Sequence, residues 1–434
     1  MFITIHCGGL PFNGGTVKER SLGGSESAAY YMAKELAANG HNVTIFTSDI
    51  NEGIFDNVRY VFAGQATEQA PLGDRFHQYA ENTLVDVLII QRAITAFNVN
   101  FPAKVKLLWL HDLAASAQRD LVSQSLFSID GILTVSKMHK EQVVEAWGIN
   151  PDIVYPIQNG VDLELFDSNN DWADHLFDKW SGTGLPKTSF DKSVKETFDN
   201  QFKLLYTSRP ERGLDHLIKP DGIMERLLKE RPEAHLYVCG YENTTPQMAA
   251  YYESLYARCN ELSNVTTLGA LNKQELADVM RQCNLHVYPT PSELTPKFKE
   301  VSCITVMECA AAGLPMLTSN VGALPETSEG LAVELLDLKD GLPNVDKFVE
   351  RIVSISNDKG LLSNSSALQL EESSKFAWPV AAAMVEAVIE SIFNKASDTS
   401  KLKELIHLSD IQAASYLLDK ITYKRALNTI ELEC

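Results

Sequence analysis

Cysteine is scarce and never closely paired. The seven cysteines of the 434-residue chain are odd in number and scattered, with Cys239, Cys283 and Cys309 inside apolar segments. That spacing excludes a zinc site built on close cysteine pairs and a disulfide-stapled fold, and predicts free thiols in a reducing compartment. Basic residues are also few: 38 Lys and Arg face 57 Asp and Glu, a net charge of -19. Such a surface repels polyanions, so nucleic acid is not an expected partner. No apolar run reaches the ~20 residues that cross a bilayer. The opening residues, Met1-Phe-Ile-Thr-Ile-His6, lack the basic start and cleavage site of a signal peptide and read as a strand. An Asp-x-Asp pair of the kind that holds Mg2+ or Mn2+ is missing too, so no metal ligands are expected. These absences predict a soluble, cytoplasmic protein, and its length suits two domains better than one core.

What is present is alternation of strands and helices, the pattern of parallel sheets covered on both faces. Strands are predicted at Ile3–His6, His41–Thr47, Val85–Ile90, Val105–Leu110, Gly131–Val135 and Ile153–Ile157. A Gly-rich loop fills 7–23, and helices run over Ser25–Asn39, 114–128 and 137–147. A second alternation starts at Phe202, with helices at 213–230, 246–261 and 272–282 and strands at 235–239, 265–268, 285–288 and 315–319. Between them, residues 167–200 are polar and aperiodic, an interdomain insertion.

Three segments carry chemistry. Glu300-Val-Ser-Cys-Ile-Thr-Val-Met-Glu308 runs into Cys-Ala-Ala-Ala-Gly-Leu-Pro315. On one helix, Glu300 and Glu308 would share a face about 12 Å apart, with free N–H groups of the first turn between them. A ligand with hydroxyls at one end, a phosphate in the middle and a diol at the other satisfies all three, and a nucleotide sugar is such a ligand. Upstream, Tyr206-Thr-Ser-Arg-Pro-Glu-Arg-Gly-Leu-Asp215 ends a strand in two cations, Arg209 and Arg212, whose guanidinium forks suit a diphosphate. In the first half, Leu22-Gly-Gly-Ser-Glu26 opens a helix, and His111-Asp112 follows an apolar strand.

The spaced glutamates, the Ala-rich helix and the arginine turn together resemble the donor motif of the retaining, nucleotide-sugar-dependent glycosyltransferases of family four. Two departures from the commoner pattern, Ser302-Cys303 where many members have Phe-Gly and a shorter arginine loop, resemble one subset of that family. The resemblance implies a GT-B fold: two Rossmann-like α/β domains facing across a cleft, with extra C-terminal helices. The expected division is an acceptor domain over 1–166, the insertion 167–200, a donor domain over 201–375, a helix 376–396 crossing back to the first domain, and a helical tail 397–434.

It further implies a retaining hexosyltransferase that needs no metal and no cofactor beyond its UDP- or GDP-linked substrate. Arg209 and Arg212, with the N–H groups of Ser302, Cys303 and Ile304, would stabilise the diphosphate. Glu300 would hold sugar hydroxyls, Glu308 the ribose diol, and His111 the sugar near its reacting carbon, with Asp112 either orienting it or reaching the acceptor. Gly23 and Gly24 would face the donor phosphate, while Gly240, Leu268, Gly269 and Leu271 would edge the base. Asn159-Gly-Val-Asp162 resembles the family's hinge segment. Front-face attack is the expected route, because no carboxylate is placed as a nucleophile. The acceptor, whether glycan, lipid-linked, protein or small molecule, is assigned to loops 8–22 and 64–84. A second reading, a catalytically silent nucleotide-sugar-binding subunit, fits poorly with the intact Arg209, Arg212, Glu300 and Glu308.

Overall fold

The computed structural model describes residues 1–99, 101–167, 200–240 and 245–397. Residues 168–199 and 398–434, which hold the expected insertion and tail, lie outside the described residues. The chain divides into two units. One gathers Met1–Gly15, Gly24–Gln158 and the segment from Trp378; the other gathers Thr16–Gly23 and Asn159–Ala377.

The first unit is built on β1 (Phe2–His6), β2 (Asn42–Thr47), β3 (Gly53–Phe55), β4 (Val58–Phe62), β5 (Val85–Gln91), β6 (Ala103–Trp109), β7 (Gly131–Thr134) and β8 (Val154–Pro156). They form one sheet in the order β3-β4-β2-β1-β5-β6-β7-β8. All pairings are parallel except β3 with β4. The apolar runs are buried on both faces, as parallel strands between helices must be: Ile5, Val87, Ile89, Ile90, Val105, Leu107 and Leu108 are fully covered.

The second unit carries β9 (Phe202–Tyr206), β10 (Ala234–Cys239), β11 (Val265–Gly269), β12 (Leu285–Tyr288), β13 (Met316–Ser319) and β14 (Val333–Leu336), in the order β11-β10-β9-β12-β13-β14. In both sheets the first strand of the unit is the point where strand order reverses. Ligands of open α/β sheets bind beyond the carboxyl ends of strands at such a point.

The helix Trp378–Ser397 belongs to the first unit. Trp378 stacks on Tyr31 at 5.6 Å between ring centroids. Glu386 accepts from Asn39 Nδ2 (3.0 Å) and lies 2.8 Å from His41 Nε2.

Several expectations are corrected. Residues 159–166, expected in the first domain, pack with the second: Val161 N–H donates to Phe376 O, and Gln274 Nε2 donates to Leu165 O at 3.0 Å. The helix expected over 213–230 is two, Leu214–Ile218 and Ile223–Glu230. Pro220, Asp221 (φ 53°) and Gly222 break it, since proline interrupts the helical ladder. The loops at 7–23 and 64–84 contain helices Thr16–Glu19 and Asp74–Asn82. The β3–β4 hairpin adds to the expected strands. Its turn uses Asp56 and Asn57 at φ 49° and 60°, the left-handed geometry of a tight hairpin without the usual glycine.

Candidate active site

The helix Ile304–Ala312 is the scaffold of the second unit's site. Its run Ala310–Ala312 has high helix propensity, and Gly313 ends it in the left-handed conformation at φ 65°, with Pro315 just beyond. Val306, Met307, Cys309 and Ala310 are fully buried. At its start Cys303 is the N-cap and makes no side-chain capping bond; Val306 N–H turns back to Cys303 O at 3.1 Å, while the N–H groups of Ile304 and Thr305 precede the helical ladder.

Glu300 is not on this helix, contrary to the helical spacing expected from sequence. It lies four residues before Ile304, in irregular backbone clamped from behind by the turn after β13. Ala323 N–H donates to Glu300 O at 2.7 Å. Gly322 sits at φ 61°, and a Cβ there would lie 2.3 Å from Glu300 O and 2.7 Å from its N. Only glycine allows both that conformation and that approach. Ser302 and Cys303 also precede the helix, so their N–H groups belong to the entry loop. Ser302 Oγ accepts from Asn159 Nδ2 at 3.3 Å, which ties the Asn159 segment to the same loop.

The Glu300 carboxylate is buried, at 5% exposure. Its Oε2 accepts from Tyr288 Oη at 3.1 Å, at the end of β12, and faces Arg212 Nη1 at 3.6 Å. Arg212 also lies over the Phe298 ring, 4.7 Å from its centroid. Glu300, Tyr288 and Glu211 oppose and outweigh the effect of burial, holding the guanidinium firmly charged. Gly213, at φ 126°, lets this turn press against β12: a Cβ there would meet Pro289 O at 2.0 Å.

Arg209 has different company. Its Nε lies 2.9 Å from Glu211 Oε1 and donates to Tyr252 Oη. Glu211 in turn anchors the loop leading to Glu300, its carbonyl accepting from Ser292 Oγ (2.6 Å) and Thr295 Oγ1 (2.8 Å). Arg212 and Glu300 are therefore brought together, while Arg209 is engaged with Glu211 and Tyr252. The exposed Lys297 and Lys299 lie on the intervening loop.

Glu308, buried at 5% exposure, accepts from Lys273 Nζ at 2.5 Å. At the carboxyl ends of β10 and β11, Gly240 N–H donates to Gly269 O at 2.6 Å. Leu268 and Leu271 are buried in the core.

In the first unit, His111 follows β6 and packs on Trp109, 4.7 Å between centroids. Gln91, at the end of β5, donates from Nε2 to Ser25 O (3.3 Å) and to His111 Nε2 (3.0 Å). With the ring nitrogen as acceptor, the proton sits on Nδ1. Burial, then the charges of Arg92 and His139, push the His111 pKa well below its ordinary value, so the ring is neutral near pH 7. Asp112 pairs with Arg92 at 2.8 Å. Gly24 starts the helix Gly24–Ala38, directly after Gly23. Among the described residues no group of three His, Cys, Asp or Glu could hold a metal ion.

Sequence reasoning missed Tyr288, Gln91 and Lys273. Tyr288 and Gln91 end apolar strands and look like core. Lys273 carried a signal, a cation in the first turn of a helix where the dipole disfavours it.

These two sheets, each with its polar groups beyond the strand ends, define a protein of two Rossmann-like α/β domains. Residues 22–165 match the family model Glycosyltransferase Family 4, and residues 188–367 match Glycosyl transferases group 1. The chain thus combines an N-terminal family 4 domain with a group 1 domain and is a glycosyltransferase of the GT-B type.

It is 24% identical over 376 residues to a human phosphatidylinositol N-acetylglucosaminyltransferase subunit, covering 77% of this chain and 70% of that protein. Identity to a GDP-mannose-dependent monoacylated alpha-(1-6)-phosphatidylinositol monomannoside mannosyltransferase of Corynebacterium glutamicum is 25% over 242 residues, 53% of this chain and 54% of that one. The solved Anabaena HepE in complex with UDP and glucose superposes with a TM-score of 0.65 at 16% identity, covering 90% of this chain and all of that one. No described helix is long and apolar enough to cross a membrane.

Proposed function

We propose that the chain transfers a hexosyl group from a UDP- or GDP-linked sugar to an acceptor hydroxyl, with retention of anomeric configuration and without a metal ion. The observation that carries this reading is the convergence on one helix end: Arg212 beside Glu300 before the first turn, and Glu308 buried further along. Arg212 and the first-turn N–H groups meet the negative charge that grows on the diphosphate as the sugar C1–O bond breaks. Glu300 receives sugar hydroxyls, and Glu308 the ribose diol. The acceptor oxygen attacks from the face the diphosphate leaves, and its proton passes to a diphosphate oxygen. The neutral ring of His111 hydrogen-bonds the sugar end of the donor, while Gly23 and Gly24 line the phosphate. Gly240, Leu268, Gly269 and Leu271 edge the base, and Arg209 supports the arginine turn through Glu211. The names of the Corynebacterium and human relatives, a mannosyltransferase and an N-acetylglucosaminyltransferase subunit, support a hexosyl donor.

The test is a panel of nucleotide sugars, each followed for release of free nucleoside diphosphate, first alone and then with glycan, lipid-linked, protein and small-molecule acceptors. One UDP- or GDP-sugar is expected to be turned over in EDTA, and the product's anomeric proton coupling is expected to match the donor's configuration. Loss of activity in EDTA restored by Mn2+, or an inverted anomer, would overturn the corresponding part. Binding without turnover of any donor would favour a silent nucleotide-sugar-binding subunit.

A further inference from the structure

Lys273 opens the helix Lys273–Gln282, whose N-cap Asn272 and Glu275 satisfy one another's N–H groups in a capping box, Glu275 N–H to Asn272 Oδ1 at 2.9 Å and Asn272 N–H to Glu275 Oε2 at 2.9 Å. The helix end is therefore already closed, and a cation in its first turn faces the positive end of the dipole. What Lys273 has in return is Glu308, on a different helix, with Nζ 2.5 Å from Oε1. Both side chains are largely covered, at 20% and 7% exposure. Glu308 Oε2 has no hydrogen-bond partner among the described residues. One oxygen of a buried carboxylate is thus pinned and the other is uncommitted.

We propose that Lys273 is a positioning residue for nucleotide recognition, holding Oε1 of Glu308 so that Oε2 accepts a ribose hydroxyl. The proposal rests on the reading of Glu308 as the ribose-binding carboxylate. An ammonium pinning one oxygen removes the carboxylate's rotational freedom and offsets the burial of its charge. The second oxygen then stays ionised and correctly aimed, and a hydrogen bond to a charged acceptor discriminates strongly against a ligand lacking the donor. The predicted consequence is selectivity for ribonucleotides over deoxyribonucleotides that depends on both residues.

The test takes whichever of UDP, GDP and ADP binds tightest and compares its Kd by calorimetry with those of its 2′-deoxy and 3′-deoxy forms. The parent protein is expected to favour the ribo form over at least one deoxy form by about ten- to a hundred-fold, the range of a charged hydrogen bond. Glu308→Gln and Lys273→Met are each expected to shrink that ratio to a few-fold while changing the deoxy affinity little, and Lys273→Arg to retain most of it. Because Lys273→Met leaves a buried carboxylate unpaired, the double variant Lys273→Met/Glu308→Gln, which removes both charges, guards against misfolding. It should discriminate no worse than either single variant. If Glu308→Gln collapses the ratio and Lys273→Met does not, the positioning role is wrong and the ribose reading stands. If Glu308→Gln leaves the ratio intact, or no nucleoside diphosphate binds, the ribose reading fails and the proposal with it.

Discussion

At the end of β6 the first unit sets a neutral imidazole, whereas beyond β9 and β12 the second sets cations against carboxylates. The two sheets share a parallel architecture and a reversal of strand order at β1 and at β9, so the difference lies in what the loops carry. His111 is held neutral by burial and by Arg92 and His139, and its partner Gln91 is an uncharged amide. Arg212 is held charged, chiefly by Glu300 against the effect of burial. A neutral ring suits hydroxyl recognition at a sugar; a fixed cation beside a helix N-terminus suits a leaving group that gains negative charge.

The largest effect that sharpens this contrast is expected from Arg212→Ala. Loss of an electrostatic group at a developing charge costs about 100- to 1,000-fold in turnover, about 2.7–4 kcal/mol. Arg209→Ala, which removes a group engaged with Glu211 and Tyr252, should cost clearly less in turnover. Steady-state kinetics on both variants, with melting curves to show that they fold, check the ordering. Equal losses would place both arginines on the diphosphate.

A smaller effect probes the clamp behind Glu300. Gly322→Ala puts a Cβ into the Glu300 backbone and forces a side-chain residue to φ 61°, a conformation costing about 1–2 kcal/mol before any clash is counted. The denaturation midpoint should fall and turnover with it, while free nucleoside diphosphate affinity changes less. Parent-like stability would show that the turn does not set the position of Glu300.

The last effect concerns stability alone, and it treats the two units alike. Each buries a histidine in a central strand, His6 in β1 and His286 in β12. Burial lowers their pKa values to about 4 and about 3. The folded state therefore holds them neutral, while the unfolded chain protonates near the ordinary 6.5. Their contribution to stability is full above pH 6.5 and is lost as pH falls from there toward 4, at about 1.4 kcal/mol per pH unit for each ring. Melting temperatures from pH 7.5 to 4.5 should fall accordingly, and His286→Gln should flatten the slope. A pH-independent melting temperature would contradict this.

Much of this was legible in the residues. Alternating apolar runs located both sheets, because strands buried on two faces have little freedom of composition. The arginine turn and the spaced glutamates stood out because charges beside apolar strands need partners. Legibility failed where backbone geometry decided. The spacing of Glu300 and Glu308 reads as helical, yet contact with Gly322 and Ala323 holds Glu300 outside the helix. Arg209 and Arg212 look equivalent in sequence, and only the fold separates them by giving Arg209 to Glu211 and Tyr252. Lys273 stands out in sequence only as a misplaced cation at a helix start, and its partner, 35 positions away, is shown by the fold alone.

The most direct test of the central claim, that the second unit's two glutamates touch opposite ends of one donor, is calorimetric titration of free nucleoside diphosphate into Glu300→Gln and Glu308→Gln. The account predicts that Glu308→Gln weakens binding by about 1.5–3 kcal/mol, the worth of a hydrogen bond to a charged group. Glu300→Gln should leave it nearly unchanged while lowering turnover of the sugar donor, because the diphosphate lacks the group Glu300 holds. Equal weakening by both substitutions would contradict the account and leave the pair as scaffolding for the helix Ile304–Ala312.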